Sequence, residues 1–342
     1  MTNNFKIIES IDTINSNFNK LLETSNTASI FQTIPLYAFF LNQPNTESFA
    51  FIISENEEII VSIFGVILYE PGIKKNITKR AIIHGGPVIN HEHEYVNNAL
   101  LSILNHLTKR LKGKVIYIET RNLNDYSLYK NIFIESGFSY EPYVNFNIEI
   151  TDMEKTLMNF NSEKRRQIRK SLKSGVQIKI AKNKKEVEAL YNILFDLYKT
   201  KVKKPLPNRK YFTDLFDLFK KYNNGFISIL VYNETIIGGS ICPIFNNIIY
   251  DWYRCGLDNQ YKKLYPSTLS VYAGMFIGNQ KGCNLFDFMG AGNINVPYGV
   301  REFKSQFGGT LIEHGRYLKI LNRTKYDIGK FGLKTMQKIK NN

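Results

Sequence analysis

The chain contains two series of short apolar segments, and each series predicts two or three antiparallel strands. The first series covers 49–54, 58–68 and 80–84, and the second covers 225–232, 235–244 and 247–255. A tight turn divides the first two strands of each series, at Asn56-Glu57 in one and at Asn233-Glu234 in the other. The same antiparallel meander is therefore predicted twice.

The elements that follow each meander also come in the same order. The pattern predicts a long amphipathic helix, a strand, a short helix and further strands. These lie at 94–111, 114–119, 124–136 and 142–150 in the first half, and at 267–281, 284–289, 298–306 and 310–321 in the second. Strands and helices in this order predict an α/β (α+β) fold with mixed, mostly antiparallel sheets flanked by helices.

Identical residues at constant offsets support an internal duplication. Phe49 aligns with Phe226 at an offset of 177 (226 − 49), and Gly137 aligns with Gly308 at an offset of 171 (308 − 137). The offsets differ because of an insertion in the polar loop 72–79, where extra residues cost little. The predicted tandem domains are 1–150 and 151–321, and the tail 322–342 is expected to pack on the first.

Length and composition agree with two folded domains. The 342 residues amount to about twice a typical domain, and 43% of them are hydrophobic, which is enough for large cores. The first residues lack the basic-then-apolar pattern of a signal peptide. The longest apolar run, 59–68, is much shorter than the roughly 20 residues that span a bilayer. We therefore expect a soluble cytoplasmic protein.

The cysteines and histidines do not indicate a metal or redox site. Cys242, Cys255 and Cys283 lack metal-ligand or redox spacing, and their odd number argues against a disulfide framework. His91 and His93 have no third ligand nearby in the sequence. The thiols are most simply core residues, and no metal is predicted.

The chain has a large excess of positive charge. It contains 45 Lys and Arg against 30 Asp and Glu, a net charge of +15. Such an excess suits a phosphate-rich partner, and it also allows peripheral contact with an anionic inner membrane surface. Part of it lies in a very basic helix at 163–173, whose Arg165–Lys170 segment is expected to contact RNA phosphates. The general abundance of Lys, Asn and Ile is an alternative explanation of the excess.

The segment 286–309 contains the strongest candidate for a site. An apolar strand carries Asp287 and ends in a glycine turn at 290–292. Arg301 and Lys304 follow three residues apart, on one face of a short helix. Glycines let the backbone approach a ligand closely, and the cations suit an anionic one.

This segment resembles the C-terminal signature of the FemABX aminoacyltransferases. The matching residues are Asp287-Phe288, the glycine turn 290–292 and the run Phe303-Lys304-x-x-Phe307-Gly308-Gly309. The resemblance implies two tandem GNAT-type (acetyltransferase-like) domains and a non-ribosomal aminoacyl transfer. The implied partners are aminoacyl-tRNA, as co-substrate in place of a cofactor, and a nucleotide- or lipid-linked glycan precursor of peptidoglycan or a related envelope polymer.

Lys304 and Asp287 are the candidate catalytic residues. The resemblance implies a lysine at 304 close to the acyl donor and acceptor, where it would stabilise an oxyanion or neutralise a phosphate. Asp287 lies in an apolar strand, so its carboxylate needs a partner. It would orient Arg301 or Lys304, or accept a proton from the attacking amine. The alternatives are a solvated lysine and a structural ion pair.

Five charged residues are candidates for substrate binding: Arg301, Glu119, Arg121, Lys201 and Lys204. Glu119 and Arg121 lie at the end of the strand that corresponds to the one with Asp287. Lys201 and Lys204 follow a helix in a cationic loop, where the resemblance implies a basic residue that holds a pyrophosphate. Their alternative role is to stabilise the helix C-terminus through its dipole.

Tyr253, Tyr265 and Tyr298 are candidates for lining the substrate channel, although aromatic residues in strands more often belong to the core. The loop 258–267 precedes a helix where an enzyme that uses acetyl-CoA would have a glycine-rich pyrophosphate loop. It contains no glycine. This argues against acetyl-CoA as donor.

One departure from the family pattern concerns the acceptor. Near Tyr37, where the resemblance implies a tryptophan and then a lysine, the chain has Tyr37 and Phe39-Phe40. An expected phosphate contact is therefore missing, which puts a UDP-linked precursor in doubt. Two other functions stay open: N-acylation of an amino sugar from an acyl thioester, and RNA binding without catalysis.

Overall fold

A computed structural model describes residues 5–11, 16–72 and 75–339. The described residues form two compact units. The first unit comprises the residues up to Pro142 and those from His314 onward, and the second comprises Tyr143–Glu313. No helix in the described ranges is both long enough and apolar enough to cross a bilayer.

The elements of the first unit begin the chain. Its strands are β1 (Lys6–Ile8), β2 (Thr46–Glu55), β3 (Glu58–Leu68), β4 (Arg80–Gly85), β5 (Val88–Ile89), β6 (Tyr117–Asn122) and β7 (Ser139–Glu141). Its helices are α1 (Ser16–Thr24), α2 (Ile34–Leu41), α3 (Lys75–Thr78), α4 (Val96–Leu111) and α5 (Lys130–Glu135). The strands lie close to the predicted positions, because alternating apolar residues mark them clearly.

The second unit follows. Its strands are β8 (Val144–Glu149), β9 (Gln177–Ile180), β10 (Gly225–Tyr232), β11 (Thr235–Phe245), β12 (Ile248–Tyr250), β13 (Tyr253–Gly256), β14 (Leu285–Asp287) and β15 (Thr310–Glu313). Its helices are α6 (Met153–Asn159), α7 (Ser162–Lys173), α8 (Lys184–Leu197), α9 (Arg209–Tyr222), α10 (Pro266–Gln280) and α11 (Gly299–Ser305). The chain then returns to the first unit with β16 (Arg316–Ile320) and α12 (Arg323–Ile339).

Each predicted domain contributes one strand to the sheet of the other: β8 of the first half belongs to the second sheet, and β16 of the second half belongs to the first. The first sheet has the order β1-β2-β3-β4-β6-β16-β7, with β5 beside β3. The second has the order β15-β8-β14-β12-β11-β10-β9, with β13 beside β11. The predicted domains 1–150 and 151–321 therefore need correction, because β8 pairs with β14 and β15 whereas β16 pairs with β6 and β7.

Backbone details repeat at equivalent positions of the two units. In the Asn-Glu turns, φ is +47° and +67° at 56–57, and +45° and +62° at 233–234. The register of each hairpin shifts after Ile53 in one unit and after Leu230 in the other, again 177 residues apart (230 − 53). Equal irregularities at equal positions support an internal duplication.

A long helix covers one face of each sheet. The apolar residues of α4 that include Leu100 and Leu104 are buried in the first core, as their helical spacing predicts. In the second unit α10 packs closely on its sheet, since a Cβ at Gly278 would lie only 1.7 Å from the Ile249 side chain. This close packing fixes β12 and its parallel neighbour β14.

Candidate active site

Asp287 lies at the end of β14, in the interior of the second sheet. It lies opposite Asn147 of β8 on one side and Tyr250 of β12 on the other. Its neighbours Phe286 and Phe288 point to the opposite face and are buried in the core. The alternation places a carboxylate on the other face with only 2% of its surface exposed.

Hydrogen bonds hold the Asp287 carboxylate in place. Its Oδ1 accepts from Asn145 Nδ2 at 2.7 Å and from the backbone N–H of Met289. The amide oxygen of Asn145 in turn accepts from the backbone N–H of Gly290 at 2.7 Å. Burial raises the pKa of Asp287 to about 6, although the hydrogen bonds from Asn145 and Met289 oppose this effect.

Lys304 reaches the same turn from α11. Its ammonium donates to the carbonyl oxygens of Phe288, at 2.8 Å, and of Gly290, at 2.7 Å. The residue is 8% exposed. Burial, followed by repulsion from Arg254, lowers the pKa of Lys304 to about 8. Among the described residues, no carboxylate lies within ion-pair distance of this ammonium, and its third N–H has no acceptor.

The turn between these two side chains requires an unusual backbone. Met289 has φ +56° and Gly290 has φ +111°. A Cβ at Gly290 would meet no protein atom within 4 Å, so the turn borders open space. In contrast, a Cβ at Gly309 would lie 2.6 Å from the Asn147 carbonyl oxygen. The first glycine turn is accessible to a ligand, whereas the second serves packing of α11 on the sheet.

A second carboxylate, Asp251, directly follows β12, the parallel neighbour of β14. Its backbone N–H donates to the Asp287 carbonyl oxygen at 2.9 Å. Its Oδ2 accepts from Arg254 at 2.6 Å. Its Oδ1 is buried and has no hydrogen-bond partner in the described part of the chain. Its charge raises the pKa of Asp287 and opposes the lowering of the pKa of Lys304. The ionisation of these groups is therefore coupled.

Three cations alternate with two aromatic rings in this region. The Phe288 ring centre lies 5.2 Å from the Lys304 ammonium and 5.8 Å from the guanidinium carbon of Arg254. The Phe303 ring centre lies 5.2 Å from the same guanidinium carbon and 4.4 Å from the ammonium of Lys164. Cation–π attraction, worth about 0.5–2 kcal/mol per pair, helps to hold three cations close together away from water.

Lys164 is a buried lysine on the basic helix α7. It is 6% exposed, and burial lowers its pKa. Its ammonium lies 3.2 Å from the hydroxyl oxygen of Thr268, in the first turn of α10. The cations of the predicted RNA-binding segment, Arg165–Lys170, differ from Lys164. Arg165 donates to the carbonyl oxygens of Met158 and Phe160, while Arg169 and Lys170 are exposed.

An acidic side chain closes the N-terminus of α10. The Oδ1 of Asp258 accepts from the backbone N–H of Ser267 at 3.1 Å, and its Oδ2 accepts from the Ser267 hydroxyl. A Cβ at Gly256 would lie 2.4 Å from the same backbone nitrogen, so the strand packs directly on the helix end. A carboxylate therefore occupies the position at which a helix N-terminus would hold a phosphate.

Arg301 fixes a loop and does not contact the catalytic candidates. Its guanidinium donates to the carbonyl oxygens of Asn293, at 2.8 Å, and of Val296, at 2.7 Å. The expected hydrogen bond or ion pair from Asp287 to Arg301 or Lys304 is not present among the described residues. Asp287 and Lys304 instead each form hydrogen bonds with the backbone of the same turn, 288–290.

Lys201 and Lys204 are exposed in the segment that follows α8. A π-helical turn at Tyr198–Val202 ends this helix. The Lys201 ammonium lies 3.5 Å from Asn259 Oδ1, so it reaches the loop before α10. The structure thus brings Lys201 near the loop 258–267 and leaves Lys204 exposed to solvent.

The three candidate tyrosines have different environments. Tyr253 packs in an aromatic cluster, with ring centres 5.1 Å from Phe212 and 5.5 Å from Trp252. Tyr265 precedes α10 with φ +47°, in a left-handed conformation. Tyr298 is exposed and covers Gly292, where a Cβ would lie 2.7 Å from its ring. Only Tyr298 combines exposure with a position beside the turn.

Glu119 and Arg121 belong to the first unit, on β6. Glu119 accepts from Arg316 at 2.7 Å and from Arg121 at 3.0 Å. Burial raises the pKa of Glu119, but the two arginines outweigh this effect and hold it below its usual value. His84 of β4 lies opposite Arg121. Burial, followed by the charge of Arg121, lowers the pKa of His84 to about 3.

Sequence reasoning missed four residues of the site: Asn145, Lys164, Asp251 and Arg254. Two of them had a signal. Lys164 shares a helical face with Ile168 and Ser171, which are also buried, so its spacing indicated burial. Asp251 directly follows an apolar strand, as Asp287 ends one. A neutral Asn145, distant in sequence, gave no comparable signal.

Comparison with known proteins places the chain by its fold. Residues 159–305 match the family described as "Acetyltransferase (GNAT) domain". No curated protein is significantly similar to the chain in sequence. The structure is similar to the crystal structure of FemX, with a TM-score of 0.71, 12% identity and coverage of 94% of this chain and 99% of that one.

Two further structures have the same organisation. A tandem GNAT protein from the clavulanic acid biosynthesis pathway has a TM-score of 0.59 and 6% identity, covering 93% of this chain and 98% of that one. The C-terminal domain of a putative lysylphosphatidylglycerol synthetase from Agrobacterium fabrum has a TM-score of 0.54 and 10% identity, covering 92% and 95%. The predicted fold is thus confirmed: the chain has a tandem GNAT fold, similar to that of FemX.

Proposed function

We propose that this protein is an aminoacyltransferase that moves an amino acid from aminoacyl-tRNA to an amine of a peptidoglycan or related cell-envelope glycan precursor. The observation that carries the proposal is the pairing of a buried ammonium and a buried carboxylate around one accessible turn. Lys304 holds the carbonyls of this turn, and Asp287 accepts from its backbone N–H. Their pKa values, about 8 and about 6, lie on either side of neutrality.

These two groups have complementary tasks in acyl transfer. The acceptor amine attacks the ester carbonyl carbon, a C–N bond forms, and the negative charge moves to the carbonyl oxygen. The free N–H of Lys304 stabilises this oxyanion. Asp287 accepts the proton that the amine loses, because a carboxylate with a pKa near 6 is a better base than an ordinary one. The ester C–O bond then breaks, and Asp287 passes the proton that it accepted to the leaving ribose oxygen of the tRNA.

The closed end of α10 supports a donor other than coenzyme A. In this unit the Asp258 carboxylate already accepts from Ser267 at the helix N-terminus. A pyrophosphate at this position would meet a negative charge and a backbone without free space. A tRNA donor avoids this position, since its phosphates can bind exposed cations such as Arg169 and Lys170 on α7.

The structural relatives add support for the reaction class. One is named FemX, and another is named as a putative lysylphosphatidylglycerol synthetase, a name that denotes a product in which an amino acid is joined to a lipid. Both are similar to this chain over more than nine-tenths of its length. These names support the proposal of an acceptor among envelope precursors.

The test is transfer of label from a mixed pool of radiolabelled aminoacyl-tRNAs to nucleotide- and lipid-linked glycan precursors. We expect RNase-sensitive transfer that Lys304→Ala reduces by about 10²–10³-fold, as for loss of an oxyanion-stabilising donor. Lys281→Ala, at an exposed lysine of the same unit, is the matched control. Transfer that persists in Lys304→Ala would exclude the assigned role. Tight tRNA binding without transfer in the wild type would favour the RNA-binding alternative.

A second candidate is N-acylation of an amino sugar from a protein-bound acyl thioester. The match of residues 159–305 to an acetyltransferase domain favours it, and a protein-bound thioester would not require a pyrophosphate loop. The same chemistry at Lys304 and Asp287 would serve this donor. RNase-insensitive transfer that depends on an acylated carrier protein would identify it.

A further inference from the structure

The sheet of the second unit divides beside the accessible turn. β12 pairs with β14, whereas β13, which follows β12 along the chain, pairs with β11. Where β14 has ended, the Lys304 ammonium donates to the backbone carbonyls of Phe288 and Gly290. The side chain of Arg254, on β13, reaches the same turn, because its guanidinium carbon lies 5.8 Å from the centre of the Phe288 ring.

The Arg254 guanidinium is held from several directions. Its Nη1 donates to Asp251 Oδ2 at 2.6 Å, and the centre of the Phe303 ring lies 5.2 Å from its guanidinium carbon. Only 14% of the side chain is exposed. One ion pair and two aromatic rings limit the orientations that a planar cation can adopt. The group is therefore fixed beside the turn before any ligand binds.

The protein does not use all the hydrogen-bond donors of this cation. A guanidinium donates through Nε, Nη1 and Nη2, but Nε and Nη2 of Arg254 donate to no group in the described part of the chain. Over the same ranges, the fully buried side-chain atoms that lack a partner are all oxygens, so these two nitrogens contact open space. Donors that stay unpaired at so enclosed a position suit the oxygens of an anionic ligand.

We propose that Arg254 binds a phosphate group of a substrate beside the turn 288–290. The planar fork of a guanidinium fits two phosphate oxygens at once. This inference rests on the proposed function, in which two sources of phosphate exist. One is the phosphodiester on the terminal ribose of the tRNA, which also carries the ester, and the other is the diphosphate of a nucleotide- or lipid-linked acceptor. Either phosphate, once bound, would position its substrate relative to Lys304.

Two pairs of probes test this site without turnover, and the members of each pair differ only in phosphate. AMP and adenosine represent the end of the donor, while UDP and uridine represent a nucleotide-linked acceptor. In isothermal titration of the full protein, we expect the phosphorylated member of one pair to bind at least about tenfold more tightly. Arg254→Gln should remove this preference. The pair that shows the preference identifies the substrate that carries the phosphate.

Matched variants control for folding and for charge. Because Arg254→Gln leaves the buried Asp251 without a cation, the double variant Asp251→Asn/Arg254→Gln is measured beside it. This double variant should also lose the preference, whereas Asp251→Asn, which keeps the guanidinium, should retain most of it. Arg209→Gln on α9 should retain all of it, since Arg209 also contacts a carboxylate (Glu188) and a ring (Tyr191) but is 53% exposed. Melting temperatures verify that the variants are folded.

The outcomes separate this site from the reaction. Equal binding within both pairs, or a preference that persists in Arg254→Gln and in the double variant, would overturn the proposal. In the transfer assay Arg254→Gln should raise KM for the phosphate-bearing substrate about tenfold and change kcat less, because the phosphate stays bound throughout the reaction. A phosphate preference that depends on Arg254, in a protein without aminoacyl transfer, would reject only the proposed function. Transfer with an unchanged KM in Arg254→Gln would reject only the phosphate site.

Discussion

The two units have a carboxylate at the same point of the fold, but its hydrogen-bond partner differs between them. Asp287 of β14 lies opposite Asn147, and Glu119 of β6 lies opposite Leu318, which is 171 residues later (318 − 147). In each unit the exchanged strand supplies the partner two positions earlier. This partner is neutral Asn145 for Asp287 and cationic Arg316 for Glu119.

The difference in partners decides what each carboxylate can do. Two arginines keep Glu119 ionised at every physiological pH, because they lower its pKa. Asp287 has no cation within ion-pair distance among the described residues, and burial raises its pKa to about 6. A carboxylate that titrates near neutrality can exchange a proton during a reaction, whereas a permanently paired one can only bind or hold. Of the two carboxylates, Asp287 in the second unit is therefore the candidate for proton transfer.

The strongest test of this comparison is Asp287→Asn. The amide oxygen can accept both hydrogen bonds that Oδ1 accepts now, so the turn keeps its geometry. We expect aminoacyl transfer to fall by about 10²–10⁴-fold, because the proton acceptor is lost. In the wild type, kcat/KM should rise with pH near 6, as Asp287 ionises, and fall near 8, as Lys304 loses its proton.

Measurement of kcat/KM between pH 5 and 9 checks this expectation (about one unit beyond each pKa). The residual activity of the variant should no longer increase near pH 6. Glu119→Gln is the matched control, and it should leave both limbs of the profile unchanged. A variant Asp287→Asn with wild-type turnover would show that the carboxylate is only structural.

The same substitution should stabilise the protein. The folded pKa of Asp287, about 6, lies above the ordinary value of 3.8, so folding favours the protonated form. The stability of the wild type relative to the Asn variant therefore decreases as the pH rises from about 4 to 6. Above pH 6 the variant should be more stable by about 3 kcal/mol, at 1.36 kcal/mol per pKa unit. Denaturant unfolding of both proteins at pH 4 and pH 7.5 measures this difference.

Glu119→Gln should have the opposite effect and a smaller one. The folded pKa of Glu119 lies below its ordinary value, so the stabilisation is present above the unfolded pKa and is lost as the pH falls through the folded pKa. At pH 7 we expect a loss of about 1–2 kcal/mol, because Arg121 and Arg316 lose a charged partner and are partly exposed. The loss should shrink on acidification. A loss that increases toward low pH would contradict the assigned ionisation.

The sequence predicted the order of elements well and the strand exchange not at all. Alternating apolar residues locate β8 and β16, but the same alternation fits either sheet, so the pattern could not tell which partner each strand has. For the same reason the partners of Asp287 and Glu119 were missed, since Asn145 and Arg316 come from the exchanged strands. Glycines and aromatic residues mark the segment of Lys304 and Asp287, which is why both could be proposed as candidates from the sequence. The structure places both side chains at one turn.

The site also shows what a single chain cannot reveal from residue types alone. The sequence could not distinguish Lys164 and Arg254 from the other cations of a chain with 45 Lys and Arg residues. In the structure the Phe288 ring lies against Lys304 and Arg254, and the Phe303 ring lies against Arg254 and Lys164. Arg301, in contrast, was expected to bind substrate and to be a possible partner of Asp287, and in the structure it donates to the carbonyls of a neighbouring loop. Spacing predicts the face of a helix, but not the direction of a long side chain.

The smallest predicted effect tests the equivalence of the units away from their sites. Glu57 and Glu234 both have positive φ, +67° and +62°, which disfavours residues other than glycine. Glu57→Gly and Glu234→Gly should each relieve this strain, and after the entropic cost of glycine we expect a gain of about 0.5–1 kcal/mol. Chemical denaturation of each variant measures the gain. Because the two turns have the same conformation, the gains should be equal, and a gain in one unit only would show that the hairpins differ in ways that their backbones do not reveal.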